Sequence, residues 1–359
     1  MRREDLLTSR QLLLLSWCAL LSPLIRQTPL AIVRIAGRYA WISALLSALP
    51  LLGMLWLMRS LLKHCPEGEG LGEQYLRALG QGPGKLVLGF STLWILFYSG
   101  FVLRSGADRF IATVYPDSGS AGFIFVMAGL GLMAGLGRLK TLGRFAEILA
   151  PILIGLFLLL LPGILSDVEW TELGDLRKAE PLVLLRGSLP AADTIALAAL
   201  GGFAAGSVKH QPCRGLLTAL FGTVGLTAVL CVCAVGVFGE TLTARLYYPF
   251  FVLLRNVRPL HLPERVEPLL IAQWVATDFL LFSLLLHIAL RNMKLCFGGS
   301  RFLRLGLALG FSAASAFLCA DSSFALIRLA ASVMPIGNAI LLFGVLPFIW
   351  CVGKLRHTI

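Results

Sequence analysis

Hydrophobic residues along this chain fall in long runs, and short stretches between the runs carry most of the charge. The runs occupy residues 11–32, 39–62, 85–106, 121–136, 146–165, 189–208, 216–238, 269–290, 303–319 and 334–353. Most approach the roughly 20 apolar residues that a helix needs to cross a hydrocarbon core about 30 Å thick; the fourth and ninth are shorter. The period-two alternation of a barrel strand is absent. Each run is therefore predicted to be a helix, the element that satisfies its own backbone amides where no water is available. The pattern predicts about ten transmembrane helices forming a single polytopic domain over residues 1–359.

Two of these helices are interrupted. The first contains Ser22-Pro23 and Thr28-Pro29, with Arg26 between them; the sixth begins at Leu189-Pro190 and contains Gly201, Gly202 and Gly206. If ten spans divide into two halves of five, these are the first helix of each half. Paired broken helices in corresponding positions point to a solute site near the bilayer midplane in inverted-repeat transporters. Ordinary proline kinks and close glycine packing account for the same residues.

Composition supports the membrane reading. Of 359 residues, 57% are hydrophobic and 14% charged, against about 25% charged in ordinary soluble domains. The net charge of +12 would suit a nucleic-acid partner if it were concentrated in one patch. It is instead split by side. With both termini on one side, that side receives 18 basic and 6 acidic residues and the other 13 of each. A basic excess in short loops marks the cytoplasmic side, so both termini are expected there and no nucleic acid is expected as partner. The first apolar run is long and lacks a small-residue cleavage site, so it is expected to be a span rather than a cleavable signal.

No catalytic chemistry emerges. The eight cysteines show no metal-ligand spacing, the five histidines are scattered, and no nucleophile has a base beside it. Gly80-Gln81-Gly82-Pro83-Gly84-Lys85 misses the phosphate-loop pattern in spacing and in its final Ser/Thr. Gly131/Gly135 and Gly202/Gly206 read as close-packing points between helices. No enzyme activity, metal or cofactor is expected. Charged residues inside spans are the exception, since each costs roughly 2.5–3.5 kcal/mol at a span centre. Asp278 lies about 14 Å into the eighth span at 1.5 Å per residue. It is expected to face the bundle and to pair with Arg26 or a ligand ammonium, or to bind a proton. Arg26 sits beside the first break, where it could also snorkel to the interface. Asp193 falls near the outer end of the sixth span, where a solvated helix start would equally suit it.

The chain resembles the GerAB-type spore germination permeases, the membrane B subunits of nutrient-germinant receptors within the amino acid–polyamine–organocation transporter superfamily. The residues that carry the resemblance run nearly end to end. They include Thr8-Ser9-Arg10-Gln11, Pro29, Ala40-Trp41, Arg104 and Arg144-Phe145-Ala146-Glu147. Further on come the block from Gly239-Glu240-Thr241 to Tyr247-Tyr248-Pro249-Phe250, then Glu264-Arg265-Val266-Glu267 and Trp274. Departures occur at Leu197-Ala198-Ala199, where the family commonly has an aromatic–Gly–Glu stretch, and at Arg26 and Asp278. A cation between Glu264 and Glu267, supplied by Arg265, would fix the loop before the eighth span to the aromatic 247–251 segment; a solvated mixed-charge loop is the plainer reading.

The resemblance implies an all-α five-plus-five inverted-repeat fold with broken helices one and six. It also implies a ligand pocket between spans one, three, six and eight. By position, these spans contribute Pro23 and Arg26, Tyr98, Asp193 and Thr194, and Thr277 and Asp278. Implied partners are a small nutrient, commonly an amino acid, a larger A subunit and a C-subunit lipoprotein, in the inner membrane of a spore-forming bacterium. The competing expectation is an amino acid or amine permease working by alternating access, with Asp278 as its proton or cation site.

Overall fold

A computed structural model of the chain describes residues 6–63, 65–66, 68–114, 119–209, 213–246, 248–256 and 267–357. Strand β1 (Leu7–Thr8) leads into α1 (Ser9–Arg26) through a capping box. Thr8 Oγ1 accepts from the Gln11 amide at 3.2 Å, and the Gln11 side chain accepts from the Thr8 amide at 3.1 Å, which occupies donors that the first turn leaves unpaired. Gln27 departs from helical geometry, and α2 (Thr28–Ala36) restarts with Pro29 in its first turn. Proline suits that position because its missing amide has no partner there.

A 3-10 turn, Gly37–Tyr39, leads from α2 into α3 (Ala40–Leu46) and α4 (Ala48–Lys63). The short amphipathic α5 (Leu71–Leu79) comes next, then α6 (Gln81–Thr113), α7 (Ser120–Leu136) and α8 (Leu139–Ser166). The sixth crossing starts as α9 (Pro181–Ala196) and tightens into a 3-10 stretch, Leu197–Ser207, before β2 (Val208–Lys209). Helix α10 (Cys213–Thr243) bends at Gly239, and α11 (Pro249–Asn256) precedes α12 (Glu267–Phe297) and α13 (Arg301–Leu318). The last crossing is divided into α14 (Ser323–Ala331), α15 (Val333–Ala339), a π-helical turn at Ile340–Val345 and α16 (Leu346–Leu355).

Eight helical segments are long and apolar enough to cross a membrane, and Ser120–Leu136 is a shorter apolar helix. The expected count of ten is thus not reproduced segment by segment. Helix α1 is parted from α2 at Gln27, and the chain from Thr28 to Lys63 forms one long apolar segment. Large apolar side chains such as Phe90, Phe125, Met133, Ile148 and Phe302 are exposed around the bundle. An apolar surface of that extent is at home against lipid rather than water. The protein is an all-α, multi-pass membrane protein.

Small residues set the closest approaches. An added Cβ at Gly131 or Gly135 would strike Phe282 of α12 or Leu305 of α13, so α7 packs through these two positions. Strands β1 and β2 pair in parallel, with Leu7 opposite Val208. At the same end of the bundle, Arg291 of α12 donates to Glu73 Oε1 of α5 and to the Gly68 carbonyl, both at 2.7 Å. There too, Arg356 donates to the Ala78 carbonyl at 3.2 Å. Both ends of the described chain therefore lie at one end of the bundle, referred to below as the inner end.

Candidate functional site

The parting of α1 from α2 lies against the sixth crossing. Thr28 Oγ1 donates to Thr194 Oγ1 at 3.1 Å, and Thr194 donates in turn to the Pro190 carbonyl at 3.1 Å. A helical threonine commonly donates its hydroxyl to the carbonyl one turn earlier, as Thr194 does here to Pro190. These contacts bound a cavity of about 60 Å³ whose lining includes Pro23, Arg26, Tyr98, Asp193, Thr194 and Asn338. A space of that size takes a few waters; a pocket for a drug-sized ligand starts at roughly 300 Å³. A larger groove of about 750 Å³ runs between α6, α7 and α12, but its lining contains no charged group.

Two opposite charges face the small cavity. Arg26 is buried, donates from Nη1 to Ser105 Oγ on α6, and has its guanidinium 5.2 Å from the Phe101 ring centre. Its Nε has no partner. Asp193 Oδ2 accepts from Asn338 Nδ2 at 3.2 Å, while its Oδ1 is buried without a partner. Asn338 is itself held by Trp94, whose Nε1 donates to the amide oxygen at 3.1 Å. This chain of contacts joins α6, α15 and α9. The unsatisfied oxygen matters because a buried polar atom without a partner costs about 1–3 kcal/mol. It marks a place where a donor would be welcome.

Asp278 is paired differently from the expectation. Both of its oxygens are engaged by groups other than Arg26: the Ser22 hydroxyl donates to Oδ1 and the Arg109 guanidinium to Oδ2. Arg109 Nη2 also donates to Ser22 Oγ at 3.0 Å, and its guanidinium lies 5.3 Å from the Trp274 ring centre. Arg109 escaped the sequence reading because the third apolar run ends at residue 106, whereas α6 continues to Thr113. Thr277 is buried and donates back to the Gln273 and Trp274 carbonyls at 3.0 Å. Neither Thr277 nor Asp278 lines the cavity.

Asp193 also sits deeper than expected. Helix α9 begins at Pro181 rather than near residue 189, which puts Asp193 roughly 18 Å along the helix at 1.5 Å per residue. A solvated helix start is therefore ruled out, and Pro181 at the first helical position explains the earlier beginning. Asn338, Ser22 and Ser105 were not foreseen. The only sign of Asn338 in the sequence is a lone amide inside the last apolar run.

The residues that carry the family resemblance have visible structural roles where they are described. Glu147 accepts from Gln11 Nε2 at 3.1 Å and joins α8 to α1. Glu240 accepts from the Arg38 amide at 3.0 Å and forms an ion pair with its side chain at 3.4 Å. This ties the turn after α2 to the bend in α10. Gly37, at φ +55°, and Gly239, at φ +70°, supply the left-handed backbone on either side of that contact, a conformation that costs other residues more. Pro249 opens α11, and Trp274 packs against Phe251 with ring centres 5.0 Å apart and planes tilted by 54°. Glu264 and Arg265 lie outside the described residues, as does the side chain of Glu267, so the proposed cation between two carboxylates is not seen.

Residues 7–176, just under half of the chain, match the family model described as spore germination protein. Over that stretch the resemblance read from sequence is borne out; the Gly239–Phe250 block lies beyond it. Among solved structures, the chain is similar to Mhp1, a nucleobase-cation-symport-1 family transporter, in a closed conformation with bromovinylhydantoin bound. The TM-score is 0.66 at 12% identity, covering 95% of this chain and 78% of that one. That likeness is one of fold: this is a transporter-like membrane protein with helices one and six interrupted. No curated protein matches the chain.

Proposed function

We propose that this chain is the membrane subunit of a spore nutrient-germinant receptor and binds a small zwitterionic nutrient, an amino acid, between α1 and α9. One observation carries the reading. Arg26 and Asp193 line a single cavity, and each keeps a buried polar atom without a partner, Nε and Oδ1 respectively. A carboxylate suits the first and an ammonium the second. Tyr98, Pro23 and Thr194 would enclose the remainder of a small solute.

In this reading the cavity must widen to admit its ligand, and the ligand holds the widened state. A ligand shifts such a balance only by binding one state better than the other. The A subunit and C lipoprotein would then read the change at the surface of the bundle in the inner spore membrane. The termini and the basic loops would face the cytoplasm, following the distribution of charge.

The test is a germinant panel on spores carrying either the native chain or Asp193→Asn, with thermal stabilisation of the purified protein by the same amino acids measured in parallel. Loss of the response to at least one amino acid in the variant, matched by loss of its stabilising effect, is expected. An unchanged response across the panel would sink the assignment of the site. The alternative is a permease, favoured by a fold shared with Mhp1, a nucleobase-cation-symport-1 family transporter. Robust uptake of labelled amino acids by the isolated chain in proteoliposomes would favour it over a pure receptor.

A further inference from the structure

The inner ends of α4 and α16 carry a surface that neither the cavity nor the buried ion pair uses. Trp56, Arg59, Ser60 and Lys63 recur at helical spacing on α4 and share one face. Trp350 and Lys354 lie one turn apart on α16. The two faces are fixed together: Trp350 Nε1 donates to Ser60 Oγ at 2.8 Å, and the ring centres of Trp56 and Trp350 are 5.4 Å apart. We infer that this corner binds one anionic phospholipid from the leaflet at the inner end. Its phosphate is held by Arg59, Lys63 and Lys354, and its acyl chains lie along α4.

Charge points to that ligand. Lys354 Nζ sits 4.8 Å from the Trp350 ring centre, a contact that keeps a flexible lysine over an aromatic face. Arg59, Lys63 and Lys354 are exposed, and among the described residues none of them has an acidic partner. Glu69 and Glu73, which follow α4 in the chain, are already taken by Arg77 and Arg291. Other cations at this end are spent within the protein: Arg301 donates to the Gly135 and Gly137 carbonyls, both at 2.7 Å. A basic cluster without counter-charge beside a bilayer attracts anionic headgroups.

Depth points the same way. Leu49, Leu52 and Trp56 continue the face of α4 toward the bilayer centre, and all three are exposed. At 1.5 Å per residue the stripe from Leu49 to Lys63 is about 21 Å long, roughly one leaflet with its headgroups. Tryptophan rings favour the boundary between headgroup and hydrocarbon. Trp56 and Trp350 therefore sit beside the glycerol region, and the cations, one to two turns further on, sit beside the phosphate. An acidic segment of a protein partner would meet the cations but leave the apolar stripe uncovered. The bound lipid bridges α4 to α16, the end of the crossing that also carries Asn338.

The inference does not depend on which solute the cavity accepts. Its test reconstitutes the purified full chain in phosphatidylcholine bilayers and follows quenching of tryptophan fluorescence by brominated phosphatidylglycerol or brominated phosphatidylcholine. The native chain is expected to prefer phosphatidylglycerol. Arg59→Gln combined with Lys354→Gln should reduce that preference by roughly 5-fold per charge removed. Removing as many cations elsewhere at the inner end, with Lys85→Gln and Lys294→Gln, should leave it unchanged. Trp56→Phe should remove part of the quenching specific to phosphatidylglycerol. A native chain without preference would overturn the inference and leave the corner to an acidic protein partner. Equal losses in the two double variants, or quenching indifferent to Trp56→Phe, would overturn it too. So would abolition of the preference by millimolar inorganic phosphate, the mark of a free-phosphate site. If the first double variant does not fold, Lys63→Gln alone decides: the single-charge reduction supports the site, and an unchanged preference overturns it.

Discussion

At the level of single residues, the site depends on how its carboxylates are divided. Asp278 has both oxygens engaged, by Ser22 and Arg109, whereas Asp193 has one oxygen held by Asn338 and one without a partner. The residue with spare capacity, rather than the one nearest the span centre, is the better candidate to meet a ligand. Asn338 is a positioning residue on this view. Asn338→Leu, close in size but without the amide, should free the carboxylate to turn. A loss of about 1–3 kcal/mol in ligand affinity corresponds to roughly 5–150-fold, read as a shift in the germinant dose–response. The unfolding midpoint should fall alongside it, because Asp193 Oδ2 and Trp94 Nε1 lose their partner. An equal dose–response would show that Asn338 has no part in holding Asp193. Gly106 offers a stability counterpart: Gly106→Ala forces a methyl group against Asp278 and Phe123 and should cost about 1–3 kcal/mol, measured by thermal unfolding.

At the level of elements, the inner end is closed by parts from four places in the chain. Strand β1 pairs with β2, the loop before α5 packs on the 3-10 stretch, and Arg291 of α12 joins Glu73, Gly68 and Ser207. All residues from Leu197 to Ser207 are buried. A 3-10 run of this length is uncommon, since its hydrogen bonds are poorer than those of an α-helix. Glu73→Gln is expected to weaken this closure. Measured as labelling of a cysteine placed at Ser207 by a water-soluble maleimide, the rate should rise several-fold over the same cysteine with Glu73 intact. Equal rates would mean that the ion pair does not gate access. Outer-end contacts between Arg38 and Glu240 are more exposed, and an ion pair of that kind contributes about 1 kcal/mol or less. Gly37 is the more sensitive position there, because a Cβ would fall 2.6 Å from Glu240 Oε2.

For the molecule as a whole, both described chain ends lie at one end of the bundle, with the basic residues Arg59, Lys63, Arg77, Arg138, Lys140, Arg291, Lys294 and Arg301 in the segments between spans nearest to it. Cysteines introduced at residues 6 and 357 should therefore be labelled from the same face of the membrane, the cytoplasmic one. Labelling from opposite faces would refute the arrangement. The exposed apolar surface that surrounds the bundle also means that partner subunits, where present, compete with lipid for the same face. Helices in lipid gain little from burying apolar surface, so shape and polar contacts must supply the preference.

The run-and-break pattern of the sequence determined that this chain crosses a membrane many times and that helices one and six are interrupted; that Pro23, Arg26, Tyr98, Asp193, Thr194, Thr277 and Asp278 share one pocket was only what the family resemblance implied. The crossings and breaks follow from local chemistry: a run of apolar residues must be helical in lipid, and proline inside a helix or clustered glycine weakens it locally. The choice of partners was decided only by the tertiary structure. Asp278 faces Arg109 rather than Arg26, Asn338 reaches Asp193 from the last span, and Thr277 turns back on its own helix. The rotation of each helix about its axis and the helix lengths beyond the apolar runs set these pairings. Both result from packing among side chains far apart in sequence, which no local pattern encodes.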